Sequence, residues 1–402
     1  MVAGHLQEKR GAFFIVITYK TSDGRKKSKW MTTGLPVKGN RKKAQEMLQI
    51  ARRNFIPPAD LTSRMTGEML YADYLLRWLD MMKGSVRTTT YASYCDIVQH
   101  VIEPYFRKRR ITLAGLRAID IQEFYTEQLK RVKPNSVLRY HANIHKSLKY
   151  AVQTDLIPTN PADKIERPKK NVFRGKFYDG EEMNRLFEVV KGTYLEIPVI
   201  LAAFYGMRRS EAMGLRWDAI DFERNTIEVK HTVTSCRMEG KTVLVESDGT
   251  KTRSSNRTLP LVPQFRERLL QLKEEQNQNM KLCGKLYNRE FLGYLCVDPM
   301  GTLYRPNTVS RAFKAVLAQN GLREIRFHDL RHSCASLLLA NGVPMKQIQE
   351  WLGHSDFSTT ANIYAHLEYN SKINSAEAML TGLKMNTDEE KADAEIKKVG
   401  CA

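Results

Sequence analysis

His328-Asp329-Leu330-Arg331-His332, then Leu352-Gly353-His354-Ser355, then Tyr364 ten residues beyond His354 decide how this chain is read. A stretch far upstream, Gly206-Met207-Arg208-Arg209-Ser210-Glu211, belongs with them. Two guanidiniums grip phosphate oxygens bidentately, which ammonium groups do less well. An imidazole manages protons near neutral pH, and a tyrosine can form a covalent intermediate. Together they suit attack on a phosphodiester through the protein's own hydroxyl. His328 and Arg331 lie three residues apart, hence on one helical face, and Asp329 at that helix's start complements its dipole. Zinc held by His328, His332 and His354 is a poor alternative, because no Cys or carboxylate falls at ligand spacing.

The remainder of the chain fits a polyanionic partner. Its 402 residues exceed one ordinary core and suit two or three domains. Lys and Arg number 64 against 44 Asp and Glu, a formal charge of +20, which implies nucleic acid. The six cysteines (Cys95, Cys236, Cys283, Cys296, Cys334, Cys401) form no CxxC pair and read as free thiols of a reducing compartment. No apolar run approaches the ~20 residues that span a bilayer, and no signal-peptide core opens the chain. The expected setting is the reducing cytoplasm, with no membrane partner.

Three segments emerge. Residues 1–58 suggest a small β-sheet module with one helix. Phe13-Phe14-Ile15-Val16-Ile17-Thr18-Tyr19 is a strand, Ser22-Asp23-Gly24 a turn, 27–33 a second strand and 41–52 a helix. Lys20, Lys26, Lys27 and Lys29 crowd this hairpin, and β-ribbons can enter a DNA groove. Ile56-Pro57-Pro58 reads as a linker. Residues 66–165 are helical, with apolar periodicity over 70–82, 89–105, 119–128 and 136–154. Arg87, Thr88 and Thr90, and farther on Arg139, sit at predicted helix starts, which suit phosphate contacts and equally suit ordinary N-caps. Residues 175–385 suggest a mixed α+β domain. Helices are expected over 181–190, 196–205, 263–280 and from 307 onward, and strands over 226–230, 242–246 and 257–261. Residues 386–402 form an acidic and basic tail expected to be mobile. The fold class is therefore multidomain and mainly α.

Residues 66–385 resemble the tyrosine recombinase (phage integrase) family, and the three-part layout resembles integrases of conjugative transposons and temperate phages. Gly206-Met207-Arg208-Arg209-Ser210-Glu211-Ala212-Met213-Gly214-Leu215-Arg216-Trp217 resembles the family's first arginine box. Lys251-Thr252, followed by Ser255-Asn256-Arg257-Thr258, resembles its lysine hairpin. His328-Asp329-Leu330-Arg331-His332 and Leu352-Gly353-His354 resemble the second box and the His/Trp position. Thr359-Thr360-Ala361-Asn362-Ile363-Tyr364-Ala365-His366 resembles the nucleophile helix.

The resemblance implies a catalytic set of Arg208, Lys251, His328, Arg331, His354 and Tyr364. Arg208 and Arg331 would clamp a phosphate that gains charge in its pentavalent state. His328 would assist the nucleophile's proton, with His332 structural, and His354 would donate to a non-bridging oxygen. Tyr364 would attack phosphorus, its phenol eased from a pKa of about 10 by these cations. Lys251 would protonate the leaving 5′-oxygen, with Lys241 and Arg253 as competitors. Bond energy kept in a 3′-phosphotyrosyl link removes the need for metal, ATP or other cofactor. The implied partners are double-stranded DNA at core-type and arm-type sites, a homotetramer in the synapse, an excision or directionality factor and a host DNA-bending protein. The apolar spacing of Ile373, Ala376, Met379 and Leu380 suggests a tail that docks on a neighbouring subunit. Two rivals stand beside this: type IB topoisomerase-like nicking and rejoining, and a catalytically silent DNA-binding protein on the same fold.

Overall fold

The computed structural model describes residues 3–20, 26–55, 66–171, 176–238, 240–248, 256–353 and 379–380. The chain divides into two compact units, Met1–Asn171 and Val172–Ala402. No helix among the described residues is long and apolar enough to cross a membrane.

The first unit opens with an antiparallel sheet, ordered β1 (Ala3–Lys9), β2 (Ala12–Lys20), β3 (Lys26–Pro36), followed by helix α1 (Arg41–Asn54). Alternation along β2 turns Ile15 and Ile17 onto α1, where Leu48 completes a small core. Phe14 and Val16 face the other way, and Phe14 packs edge-on against Trp30 of β3 at 6.3 Å. The register sorts the lysines as well. Lys27 and Lys29 pair with Tyr19 and Ile17, on the α1 side, whereas Lys26 shares the opposite side with Trp30. The hairpin turn predicted at Ser22-Asp23-Gly24 lies outside the described residues.

Among its described residues the same unit also contains α-helices α2 (Tyr71–Met82), α3 (Thr88–Ile97), α4 (Glu103–Arg109), α5 (Ala118–Leu129) and α6 (Pro134–Gln153). Tyr71, Tyr74, Leu75 and Trp78 form an i, i+3, i+4, i+7 stripe on α2 with no solvent exposure. Each such side chain contributes roughly 1.5–3 kcal/mol by leaving water. Buried hydroxyls are matched too: Tyr74 donates to the Ser147 carbonyl at 2.5 Å. The single helix expected over 89–105 is interrupted by a π turn, Val98–Ile102, just before Pro104. Proline has no N–H and its ring crowds the carbonyl four residues earlier, so the wider turn relieves both conflicts.

The second unit runs α7 (Gly180–Val190), α8 (Glu196–Ala203), α9 (Arg209–Gly214), β4 (Ile220–Asp221), β5 (Thr226–Val229), β6 (His231–Met238), β7 (Lys241–Asp248), β8 (Arg257–Pro260), α10 (Pro263–Cys283), α11 (Pro306–Gln319), α12 (Asp329–Ala340) and α13 (Met345–Leu352). One antiparallel sheet has the order β4-β5-β8, and β6 and β7 form a two-stranded sheet among the described residues. Strand β6 carries little apolar signal in His231-Thr232-Val233-Thr234-Ser235-Cys236-Arg237-Met238, and the sequence reading passes over it. What holds it is α9: a Cβ on Gly214 would stand 2.7 Å from the Thr232 Cα, an approach that only glycine permits. The Tyr205 ring stacks on Trp351 at 6.2 Å, which fixes α13 beside the chain entering α9.

Candidate nucleic-acid cleavage site

Arg208 stands at the N-cap of α9, and its own backbone N–H donates to Glu211 Oε2 at 2.9 Å. The same carboxylate takes Arg208 Nη1 on Oε1 at 2.5 Å and Arg257 Nη2 on Oε2 at 3.0 Å. Arg331 Nη1 lies 4.0 Å from Oε2. Glu211 is thus a buried anion, 2% exposed, shared by three guanidiniums. Burial alone would raise its pKa; the charges of Arg257, Arg208 and Arg331 outweigh that and hold it below the usual carboxylate value.

Arg331 leaves α12 for the interior and is 2% exposed. Its Nη1 donates to the Gly206 carbonyl at 2.5 Å and its Nη2 to the Leu352 carbonyl at 2.7 Å. Burial, reinforced by Arg208, pushes its pKa down to about 9, so it stays charged at neutral pH. Arg208 Nη2 donates to the next carbonyl, Gly353 O, at 3.1 Å. Gly206 has φ of +62°, and a Cβ there would strike Leu352 Cδ2 at 2.3 Å. Glycine therefore sets how near the two segments come.

His328 caps α12 and is exposed, while the protein around its ring still removes enough water to lower its pKa to about 4. His332 and Arg331 push in the same direction. Its ring meets His332 edge-on at 5.1 Å, in keeping with a packing role for His332. Asp329 is 2% exposed and bound by the Arg326 backbone and guanidinium, the nearest contact being 2.6 Å. Arg208, Ser210, Lys314, Arg326 and His328 line an open cavity of about 650 Å³. Cations facing such a groove, backed by a buried anion, can stabilise a phosphate that gains negative charge.

The structure thus brings together Arg208, His328 and Arg331. Lys251, His354 and Tyr364 lie outside the described residues, as do the nucleophile helix and most of the tail. Lys26, Lys27, Lys29, Arg87, Thr88 and Arg139 are exposed and Thr90 is half-buried. Lys20 is the last residue of β2. Neither α3 nor α6 has a side-chain cap at its first turn, so the hydroxyls near residues 85–90 do not serve as the N-caps considered from sequence. The sequence reading missed Glu211 and Arg257 as a functional pair. The available signal was Glu211 three residues after Arg208, a carboxylate on the apolar face of a helix.

Residues 176–371 match the phage integrase family, and residues 70–129 match the phage integrase N-terminal SAM-like domain. Tyrosine recombinase XerC of Pediococcus pentosaceus is 31% identical over 74% of this chain and 92% of its own. The ICEBs1 integrase of Bacillus subtilis is 25% identical over 86% and 91%. A Tn1549 transposon integrase in complex with a circular intermediate DNA has a similar fold, with TM-score 0.62 and 17% identity over 77% of this chain and 99% of that one. So does a lambda integrase tetramer bound to a Holliday junction, with TM-score 0.55 and 16% identity over 89% and 94%.

Proposed function

Because this chain belongs to the phage integrase family of tyrosine recombinases, and so is a site-specific recombinase that cuts and rejoins DNA, we propose that Tyr364 is its nucleophile and Arg208 and Arg331 its phosphate clamp. The observation that carries this is the convergence of both guanidiniums on Glu211 and on the carbonyls directly before His354. The phenolic oxygen attacks phosphorus, the P–O5′ bond breaks, and the DNA 3′-end stays on the tyrosine. A partner 5′-hydroxyl then attacks the phosphotyrosyl link and releases the enzyme. His328, held neutral, takes up the phenolic proton; His354 donates to a non-bridging oxygen; Lys251 protonates the leaving oxygen. The carbonyls that the arginines hold, those of Leu352 and Gly353, directly precede His354 in the sequence.

Recombination cuts four strands, so four copies of this chain act in one synapse, the assembly named for the lambda integrase relative. Residues 66–165 and 175–385 grip core-type DNA, with Arg87, Thr88, Thr90 and Arg139 on its phosphates. Residues 1–58 read separate arm-type sites through Lys20, Lys26, Lys27 and Lys29, and 386–402 form a tail. Such a module makes direction controllable, which suits an integrase of a mobile element working with a directionality factor and a host DNA-bending protein. The ICEBs1 and Tn1549 relatives carry names of that kind.

The test is a denaturing gel of the protein with a nicked suicide substrate taken from the element's junctions, beside Tyr364→Phe and without divalent metal. A covalent protein–DNA band that vanishes in the variant supports the nucleophile. Tight specific binding without a band sinks it.

A further inference from the structure

The base of the β6–β7 hairpin carries a polar chain that the reaction above does not use. His231, 7% exposed, begins β6 and pairs across the ladder with Asp248, the last residue of β7. Its Nδ1 lies 2.5 Å from Asp248 Oδ1 and its Nε2 lies 2.8 Å from the Tyr294 hydroxyl. Tyr294 in turn donates to Glu246 Oε2 at 2.5 Å. The single phenolic hydrogen goes to Glu246, and both ring nitrogens of His231 lie within hydrogen-bond distance of a partner. The ring is thus held at both nitrogens, by Asp248 at the end of β7 and by Tyr294 of the loop.

Tyr294 is firmly seated. It is 2% exposed, bridges in register to Arg216, and carries that guanidinium 5.2 Å above its ring. The peptide groups on either side of Arg216 bond the loop as well: the Trp217 N–H donates to the Gly293 carbonyl at 2.7 Å, and the Leu215 carbonyl accepts from the Leu295 N–H at 3.1 Å. The chain therefore ties the exit of β7 to the segment that follows α9, and so to Arg208. Three residues past Asp248 the sequence reaches Lys251.

We propose that His231, with Tyr294 and Asp248, is a positioning residue for strand cleavage, fixing the end of β7 so that Lys251 can reach the leaving 5′-oxygen. This rests on Lys251 as the general acid. His231 itself touches no DNA atom in this scheme; it acts through the lysine. The groups facing its ring are Asp248 and Glu246 on β7 and the phenol of Tyr294, with Arg216 beyond.

A leaving group that needs no proton separates this role from a merely structural one. Replacing the bridging 5′-oxygen by sulfur makes the leaving group a thiolate, far less basic than an alkoxide, and removes the demand for an acid. Single-turnover cleavage is measured on oxygen and sulfur substrates for Lys251→Ala, Tyr294→Phe and Asp248→Asn. Asp248 is 89% exposed, so its variant keeps the fold. Lys251→Ala is expected to be slowed on oxygen and restored on sulfur. Tyr294→Phe and Asp248→Asn should follow it, about tenfold or more slower on oxygen and near wild type on sulfur, with DNA affinity unchanged. If Lys251→Ala is restored while the other two are slowed equally on both substrates, or on neither, the clamp is refuted and the lysine assignment stands. If sulfur does not restore Lys251→Ala, the lysine assignment falls and this inference with it.

Discussion

Arg331 donates through Nη2 to the main-chain carbonyl of Leu352 at 2.7 Å, two residues before His354. Arg208 takes the very next carbonyl, Gly353 O, at 3.1 Å. A guanidinium can keep such a bond and still present N–H groups to a phosphate; an ammonium, a point donor, has no fixed fork to share. Arg331→Lys is therefore expected to cut strand cleavage by roughly 10²–10³-fold while specific DNA binding changes little. Single-turnover cleavage and a binding titration of the same preparation check this. Wild-type cleavage by the lysine variant would contradict it.

Glu211 neutralises side chains that are almost wholly enclosed, Arg257 at 6% and Arg331 at 2% exposure. Removing the carboxylate takes the neutralising anion away from those buried charges. Glu211→Ala should lose about 3–5 kcal/mol of stability, read as a lower urea midpoint. Glu211→Gln, which keeps the shape and an acceptor oxygen, should lose less. A truncation as mild as an exposed surface change would show that the cluster does not depend on its anion.

The helices of both units were legible in sequence because their apolar residues recur at 3.6-residue spacing, as in Tyr71, Tyr74, Leu75 and Trp78. Arg208, His328 and Arg331 were legible because their motifs are local. Strand β6 was not, since its packing comes from α9 pressing on Thr232 through Gly214, a contact between residues 18 apart. The π turn before Pro104 was also illegible from periodicity, which sees a helix on either side. Glu211 was visible only as one carboxylate among many. Its role depends on Arg257 and Arg331 arriving from β8 and α12, and no spacing within its own helix records that.

Gly206 offers a direct test of how closely α13 must approach. Alanine there meets Leu352 Cδ2 at 2.3 Å and also carries an unfavourable φ of +62°. Gly321 has the same φ with nothing within 4 Å of the added atom. Gly321→Ala should cost about 1–2 kcal/mol for the left-handed backbone alone. Gly206→Ala should cost about 1–3 kcal/mol more, from overpacking, and should also slow cleavage by moving the Leu352 carbonyl. Equal thermal shifts in the two variants would argue against the close contact.

His328 holds a pKa of about 4 against an ordinary value of 6.5, chiefly because the packing around it excludes water. The folded protein then binds fewer protons at this site than the unfolded chain. Its stabilising effect is complete above pH 6.5 and is lost as pH falls from 6.5 toward about 4. His332 shifts in the same direction and adds to the slope. Urea midpoints at pH 7.5 and 4.5 should therefore fall less in His328→Asn than in wild type. The same protonation state means that cleavage should show no step near pH 6.5 from this imidazole. A titration of the His328 ring by NMR with a midpoint at 6.5 or above would overturn both expectations.

Lys26 lies on one side of the N-terminal sheet with Trp30, while Lys27 and Lys29 lie on the side of α1 or at its edge. A ribbon set edge-on in a groove presents both of its sides to the two phosphate walls, so lysines on opposite faces can each meet a phosphate. A sheet laid flat on DNA would use one side only. Each phosphate contact contributes about 0.9 to the slope of log affinity against log salt. The triple change Lys26→Gln, Lys27→Gln, Lys29→Gln should then lower the slope for arm-type DNA by about 2–3, and each single change by about 1. Core-type binding should be unaffected. If the pair Lys27→Gln, Lys29→Gln leaves the slope unchanged while Lys26→Gln lowers it, the sheet docks by its Trp30 face and the edge-on arrangement is wrong.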